Sequence, residues 1–179
     1  MVSLASLYRW DAATCHRINA INRQRPFDRI FALASRLGDG AFWYGMMALM
    51  PVLYGLDGLA QSIVLALNGV LCTATYRWIK QSTSRPRPSA VYETLTLTVA
   101  PLDRFSFPSG HTLHAVSFTI LICQAHPLLM WLLVPFTALV AMSRMVLGLH
   151  YPSDVLAGAA IGTMWALAAI AIAPWLVIP

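Results

Sequence analysis

Residues 128–177, LLMWLLVPFTALVAMSRMVLGLHYPSDVLAGAAIGTMWALAAIAIAPWLV, decide the fold. They hold two apolar runs, 128–147 and 153–177, interrupted near their junction by Arg144, His150 and Asp154. A run of about 20 apolar residues crosses a hydrocarbon core roughly 30 Å thick, so both read as membrane-spanning helices. Three further candidates lie upstream: 41–55, 59–79 and 111–125. The brief connections 56–58 and 124–127 make their flanking helices antiparallel hairpins. The expected fold is therefore all-α, an integral membrane helical bundle of five to six transmembrane helices.

Composition agrees. Of 179 residues 58% are apolar or aromatic and only 11% charged, against roughly 25% charged in a soluble domain, which excludes a water-soluble enzyme of ordinary surface. The formal charge of +5 would raise nucleic acid as a partner in a soluble protein. In a bilayer it belongs to interfacial and substrate chemistry, and no nucleic acid is expected. Cys15, Cys72 and Cys123 are widely spaced without a C-x-x-C pair, so they read as small packing residues.

Residues 1–40 do not read as a span. Leu4, Leu7, Tyr8, Cys15 and Ile18 share a helical face, with Arg9, Asp11, His16 and Arg17 off it. That pattern fits an amphipathic N-terminal segment lying in the interface, or a polar-faced helix packed on its neighbours. A second amphipathic stretch after Pro26 ends at Gly38-Asp39-Gly40. The chain thus divides into an interfacial arm, residues 1–40, and a membrane-embedded core, residues 41–179. The segment 80–110 is long for a connection in so small a protein, and such loops are commonly functional.

With five alternating spans, the arm, the loop 80–110 and the loop 148–152 share one side of the membrane. Three clusters gather there. Lys80-Gln-Ser-Thr-Ser-Arg85-Pro-Arg87-Pro88 supplies fixed cations, and guanidinium forks match phosphate oxygens; alone it would read as an interface anchor. Pro108-Ser109-Gly110-His111 opens a helix whose N-terminal N–H groups form an anion site, or merely a cap. Ser143-Arg144 and His150-x3-Asp154 place a carboxylate where it can hold one imidazole nitrogen and leave the other free. Arg144 sits near a span end, where an unpaired charge is costly; an Arg144–Asp154 ion pair is the structural alternative. Together the clusters fit phosphoryl transfer through a phosphohistidine. The rival use of His111, His150 and Asp154 as metal ligands is opposed by the surrounding cations.

Lys80-x6-Arg87-Pro88, Pro108-Ser109-Gly110-His111 and Ser143-Arg144-x5-His150-x3-Asp154, in that order, resemble the three-part signature of the type 2 phosphatidic acid phosphatase superfamily of membrane lipid phosphatases. The resemblance spans roughly residues 38–175. It implies that His150 is the nucleophile, that Asp154 orients it, and that His111 protonates the leaving group and later activates water. Lys80, Arg87, Arg144, the Ser109 hydroxyl and the Gly110 N–H would bind phosphate, with Arg85, Ser143 and Pro108 supporting, and neither metal nor cofactor would be required. The six membrane helices common in that family exceed the five counted here.

The implied activity is hydrolysis of a lipid phosphate or diphosphate. Resemblance to small bacterial members favours undecaprenyl (polyprenyl) diphosphate; phosphatidylglycerophosphate, phosphatidic acid and lipid A phosphates stay open. A lipid phosphotransferase would use the same residues, while a non-catalytic lipid-binding protein leaves His150 and Asp154 beside three cations unexplained. The expected location is a bacterial plasma membrane. All 12 Lys and Arg fall on the site's side, which by the positive-inside rule is cytoplasmic, whereas the resemblance implies the periplasmic face.

Overall fold

The structure, a computed structural model, describes residues 4–172, and every element longer than an isolated bridge among them is helical. The order is α1 (Leu4–Asn19), a 3-10 turn (Ala20–Arg23), α2 (Phe27–Arg36), a π-helical turn (Leu37–Ala41), α3 (Phe42–Thr83), the short α4 (Pro88–Val91), α5 (Gly110–Ala125), α6 (Met130–Val146) and α7 (Pro152–Ile172). The all-α class is as expected. The remaining stretch to Val177 lies outside the described residues.

Among the described residues, three segments are long and apolar enough to cross a membrane: Phe27–Thr83, Pro127–Val146 and Pro152–Ile172. The runs expected at 41–55 and 59–79 fall within the first, which continues from α2 instead of starting after a turn at 38–40. Its breaks are glycines: Gly40 (φ 131°) and Gly55 (φ 60°, ψ −131°) have non-helical backbone. At Gly55 the chain reverses, slightly earlier than expected. Ser62 Oγ donates to Met47 O across the reversal at 2.7 Å, and a Cβ on Gly58 would collide with Met50 O. Limbs 42–54 and 56–83 of α3 are therefore a tightly packed hairpin. α5, with 16 residues, is apolar but shorter than the other three segments.

α5 is the axis of the bundle. Its Ala115, Phe118, Leu121 and Ile122 pack with Trp43, Met46 and Met50, with Val64 and Leu65, and with Leu133, Val140 and Ala166. The outside is equally apolar: Val52, Leu128 and Trp131 are 78%, 84% and 78% exposed. An apolar surface on this scale belongs against lipid. Since lipid is no less apolar than a leucine side chain, burial alone cannot hold such helices together, and close packing and hydrogen bonds do so instead. Asn68 Nδ2 donates to Trp165 O at 3.1 Å and Ser117 Oγ to Asn68 Oδ1 at 2.6 Å. Gly158 and Gly162, one turn apart on α7, face the backbone of α5, where Cβ atoms would collide with Ser109 O and Leu113 O.

The arm corrects one expectation. The stripe of α1 and its following turn that turns inward is Asp11, Cys15, Asn19 and Asn22, all buried, while Leu7, Tyr8 and Trp10 are exposed. The polar groups are inside because they have backbone partners there. Asn19 Nδ2 donates to Val146 O at 2.8 Å and Thr96 O at 3.0 Å, Asn19 Oδ1 accepts from Thr96 N at 2.9 Å, and Asn22 Nδ2 donates to Thr96 O at 2.7 Å. Leu7, Tyr8 and Trp10 on α1 are left exposed.

Candidate active site

The chain between α6 and α7 sets the first half of the site. Gly148 takes φ 71°, the left-handed region that favours glycine, and the N–H groups of Leu149 and His150 both donate to Arg144 O at 3.0 Å. Pro152 opens α7, where its missing N–H costs nothing. Two residues on, Asp154 Oδ2 accepts from the Tyr151 N–H at 2.8 Å, an acidic side chain reaching back to the cap backbone. Held so, Asp154 Oδ2 stands 3.5 Å from His150 Nδ1. The other ring nitrogen, Nε2, faces Arg87 Nη1 at 3.2 Å. A guanidinium only donates, so Nε2 presents its lone pair and the proton resides on Nδ1, toward Asp154. His150 is 1% exposed. Burial, reinforced by the positive charges of Arg144, Arg87 and Lys80, pushes its pKa well below the ordinary 6.5, so the ring is neutral.

α5 supplies the second half. Ser109 caps it with extended backbone (φ −73°, ψ 106°), and the Ser109 N–H donates to Asp154 O at 3.0 Å, tying this helix start to that of α7. Gly110 and His111 follow on the first turn, with the positive end of the helix dipole. His111 Nε2 lies 3.4 Å from Asp39 Oδ1. The Ser109 hydroxyl, a phosphate ligand by the resemblance, here pairs with Thr112 Oγ1 at 3.0 Å, and the residue is fully buried.

The cations come from three elements. Lys80, at the end of α3, and Arg87, before α4, both bind Asp103: Lys80 Nζ at 2.7 and 2.9 Å, Arg87 Nη2 at 2.7 Å. These partners outweigh the upward push of burial and hold the Asp103 carboxyl below the usual carboxylate range. Arg144 is 3% exposed and donates through Nη1 to Ser35 of α2, while its buried Nε has no acceptor among the described residues. The alternative of an Arg144–Asp154 pair is thereby corrected. The partner of Asp154 is Arg85, whose Nη1 reaches Asp154 Oδ1 at 2.7 Å and Ser153 Oγ at 2.8 Å, while its Nη2 reaches Asp11 at 2.7 Å. Arg85 also stacks 4.1 Å from the Tyr151 ring.

Lys80, Arg87, Arg144, Gly110, His111 and His150 line one cavity of about 870 Å³. It continues past Trp43, Met47, Val70 and Phe118 between α3 and α5. Arg85 is outside it, lining a second space of about 740 Å³ with Tyr8, Tyr92 and Phe107, which holds neither histidine. Ser143 Oγ back-bonds to Val140 O at 2.6 Å, and Pro108 follows a cis peptide bond and is buried; both serve the backbone. Four residues that touch this machinery escape the sequence reading: Asp11, Ser35, Asp39 and Asp103. The available signal was scarcity. With only 7 acidic residues in the chain, buried cations must draw their partners from this small set.

Residues 58–178 match the PAP2 superfamily. An undecaprenyl-diphosphatase of Sulfolobus acidocaldarius is 28% identical over 144 residues, covering 79% of this chain and 68% of that protein. A decaprenylphosphoryl-5-phosphoribose phosphatase of Mycolicibacterium smegmatis is 37% identical over 84 residues, 45% of this chain. The matched part spans only 42% of the Mycolicibacterium protein's length. Among solved structures, a transmembrane PAP2 type phosphatidylglycerolphosphate phosphatase from Bacillus subtilis superposes with a TM-score of 0.73 at 23% identity, covering 97% of this chain and 88% of that one.

Proposed function

This chain belongs to the PAP2 superfamily of membrane phosphatases, hydrolases of phosphate esters, and from that premise we propose that it hydrolyses a lipid diphosphate, undecaprenyl diphosphate to the monophosphate, through a phosphohistidine at His150. The observation that carries the reading is the cavity in which His150, His111, the Lys80–Arg87 pair and Arg144 converge from separate stretches of sequence. Its apolar extension along Met47, Val70 and Phe118 suits a substrate with its phosphate at headgroup level and its tail in hydrocarbon. Similarity to the undecaprenyl-diphosphatase of Sulfolobus acidocaldarius supports the choice of polyprenyl diphosphate.

The chemistry follows from the orientation of the groups. On phosphate binding Arg87 turns from His150 Nε2 to a phosphoryl oxygen, and the freed lone pair attacks the terminal phosphorus. As the N–P bond forms, the bond from phosphorus to the leaving oxygen breaks, and His111 gives its proton to that oxygen. The imidazolium charge is stabilised by Asp154 beside Nδ1, and Arg87, Arg144 and the Gly110 N–H face the charge on the equatorial oxygens. His111 then takes a proton from the water that displaces the phosphohistidine, releasing inorganic phosphate and restoring neutral His150.

In the membrane we read five crossings, the two limbs of α3 followed by α5, α6 and α7, with residues 1–40 as an interfacial arm on a core of residues 41–179. The plasma membrane of a bacterium suits this substrate. The stacking of His126 on Tyr54 at 3.8 Å marks the end of the bundle opposite the site. By the positive-inside rule the site end, carrying the Lys and Arg, faces the cytoplasm. Labelling of Leu97→Cys but not Asp57→Cys by an impermeant thiol reagent in intact cells, each in a cysteine-free background, overturns that orientation.

Function is tested by phosphate release from a panel of purified lipids in detergent: undecaprenyl diphosphate, phosphatidylglycerophosphate, phosphatidic acid and lipid A. Undecaprenyl diphosphate is expected to show the highest kcat/KM, and His150→Ala to abolish release while remaining folded. Retained turnover in His150→Ala overturns the phosphohistidine, and preference for another lipid overturns the substrate. Transfer to an added acceptor lipid in place of water would identify a phosphotransferase.

A further inference from the structure

Two of the cations read as phosphate ligands already hold an anion. Lys80 has three N–H groups, and three acceptors surround its Nζ: Asp103 Oδ1 at 2.9 Å, Asp103 Oδ2 at 2.7 Å and Phe105 O at 3.1 Å. Arg87 has five N–H groups. Its Nε goes to Asp103 O at 2.9 Å, Nη1 to Leu149 O at 2.8 Å and His150 Nε2 at 3.2 Å, and Nη2 to Asp103 Oδ1 at 2.7 Å. Lys80 is saturated, and one Arg87 N–H is left over. Lys80 cannot take up a phosphoryl group without releasing something, and Arg87 can offer one only a single N–H, not its two-pronged fork.

The Asp103 carboxylate is the group that can be released. Its side chain is 41% exposed, whereas those of Lys80 and Arg87 are 7% and 4% exposed. Residues 101–104 are all exposed, so no core packing fixes this part of the loop; its backbone is held by Arg87 Nε at Asp103 O and by the bridge between Phe105 and Pro86, which leaves the Asp103 side chain free to turn about its own bonds. The carboxylate lines the same cavity as His111, Arg144 and His150. Two oxygens on a planar fork, shared between an ammonium and a guanidinium, reproduce what two phosphoryl oxygens would offer.

We propose that Asp103 is a resident anion that occupies the Lys80–Arg87 pair in the empty site and is exchanged for the substrate's phosphoryl group on binding. The exchange has two consequences. The empty site carries no unpaired Lys80 or Arg87 charge at the membrane interface, where such charges are costly. Entry is also biased by charge: a terminal phosphate dianion competes with a carboxylate more effectively than a singly charged diester does, so Asp103 is a specificity-determining residue for terminal phosphates. The same swing frees Arg87 to leave His150 Nε2, coupling substrate arrival to exposure of the nucleophile.

The inference rests on the proposed reading of Lys80 and Arg87 as phosphate ligands, and the experiment separates the two. Inorganic phosphate is the probe, as a competitive inhibitor of lipid diphosphate turnover by the full-length protein in detergent. Wild-type turnover with measurable inhibition that Arg87→Gln weakens supports the ligand assignment; absence of turnover, or inhibition indifferent to Arg87→Gln, overturns that assignment and the exchange with it. Given the assignment, Asp103→Ala is expected to lower the phosphate inhibition constant at least tenfold. Asp103→Asn, which keeps shape and an acceptor oxygen but not the charge, is expected to lower it in the same direction and guards against misfolding of the alanine variant. An inhibition constant unchanged or raised in a folded Asp103 variant makes the carboxylate an orienting strut and overturns the exchange while leaving the proposed activity standing.

Discussion

Arg85 Nη2 donates to Asp11 Oδ2 at 2.7 Å while its Nη1 holds Asp154, so α1 is joined through one guanidinium to the carboxylate beside His150. Asp11 also accepts from the Ser153 N–H at 2.9 Å and is fully buried. Its removal leaves Arg85 with an unpaired end in a confined place. Asp11→Ala is expected to destabilise the protein by about 3 kcal/mol, the low end for breaking a buried pair, and to lower kcat about tenfold through misplacement of Asp154, with little change in KM. Thermal unfolding in detergent and steady-state kinetics measure both. Asp11→Asn, which keeps an acceptor for Ser153, should recover part of each.

Asp39 stands to His111 as Asp154 stands to His150: Asp39 Oδ1 is 3.4 Å from His111 Nε2. A carboxylate so placed steadies the imidazolium needed to protonate a leaving oxygen. General acid catalysis contributes roughly a hundredfold or more, and a positioning partner supplies part of it. Asp39→Asn should therefore slow turnover of a lipid diphosphate by about tenfold while hydrolysis of a p-nitrophenyl phosphate, whose leaving group needs no proton, changes little. Equal slowing of both substrates would assign Asp39 to folding or to phosphate binding instead.

The neutral His150 fixes the direction of a pH response. Burial and the adjoining cations hold its pKa well below 6.5, so the nucleophile stays unprotonated in acid where an ordinary imidazole would be charged. The acid limb of kcat/KM is expected below pH 6.5, and Arg87→Gln, which removes one of the repelling charges, should move it upward. Stability follows by linkage. Below the unfolded value the unfolded chain binds a proton that folded His150 does not, so stability falls as pH drops through about 6.5 toward the folded pKa. Asp103, held low by Lys80 and Arg87, contributes stability above its unfolded value of about 3.9, which is lost as pH falls through its folded value. Both groups thus make the protein acid-labile, and denaturation midpoints from pH 3 to 8 would show it.

The sequence made the frame of the candidate site legible because residue type and spacing carry it: His150 and Asp154 are four apart across a helix start, and the cations of 80–87 flank a span. It also made the apolar runs legible, since their length is set by the bilayer. What it could not disclose were partnerships across long separations. Arg144 meets Ser35, and Arg85 meets Asp11 and Asp154, because the arm folds back on the helix ends, which no local pattern encodes. The amphipathic reading of α1 placed Cys15 with Leu7 and Tyr8 and set Asp11 apart, whereas Cys15 and Asp11 share the buried stripe; the carboxamides of Asn19 and Asn22 join them because loop 94–98 has backbone groups that need them. The hairpin between the runs 41–55 and 59–79 was legible as well, its reversal falling at Gly55, one residue before the expected connection 56–58.

The two halves of the site are held in register by the smallest residues of α7. Gly158 faces Ser109 O so closely that a Cβ there would stand 2.5 Å from it, and the same Ser109 ties its N–H to Asp154 O. Any side chain at 158 must move the start of α5, and with it Gly110 and His111, away from His150. Gly158→Ala is therefore expected to lower kcat on the order of a hundredfold, the effect of about 1 Å of misplacement, and to destabilise by about 1–3 kcal/mol through overpacking. Gly45→Ala is the matched control. That helical position has nothing within 4 Å of an added Cβ, so alanine should be neutral or slightly stabilising there. If Gly158→Ala retains full kcat with normal stability, the helices have room to spread without consequence, and the registration of His111 against His150 must come from the loops instead.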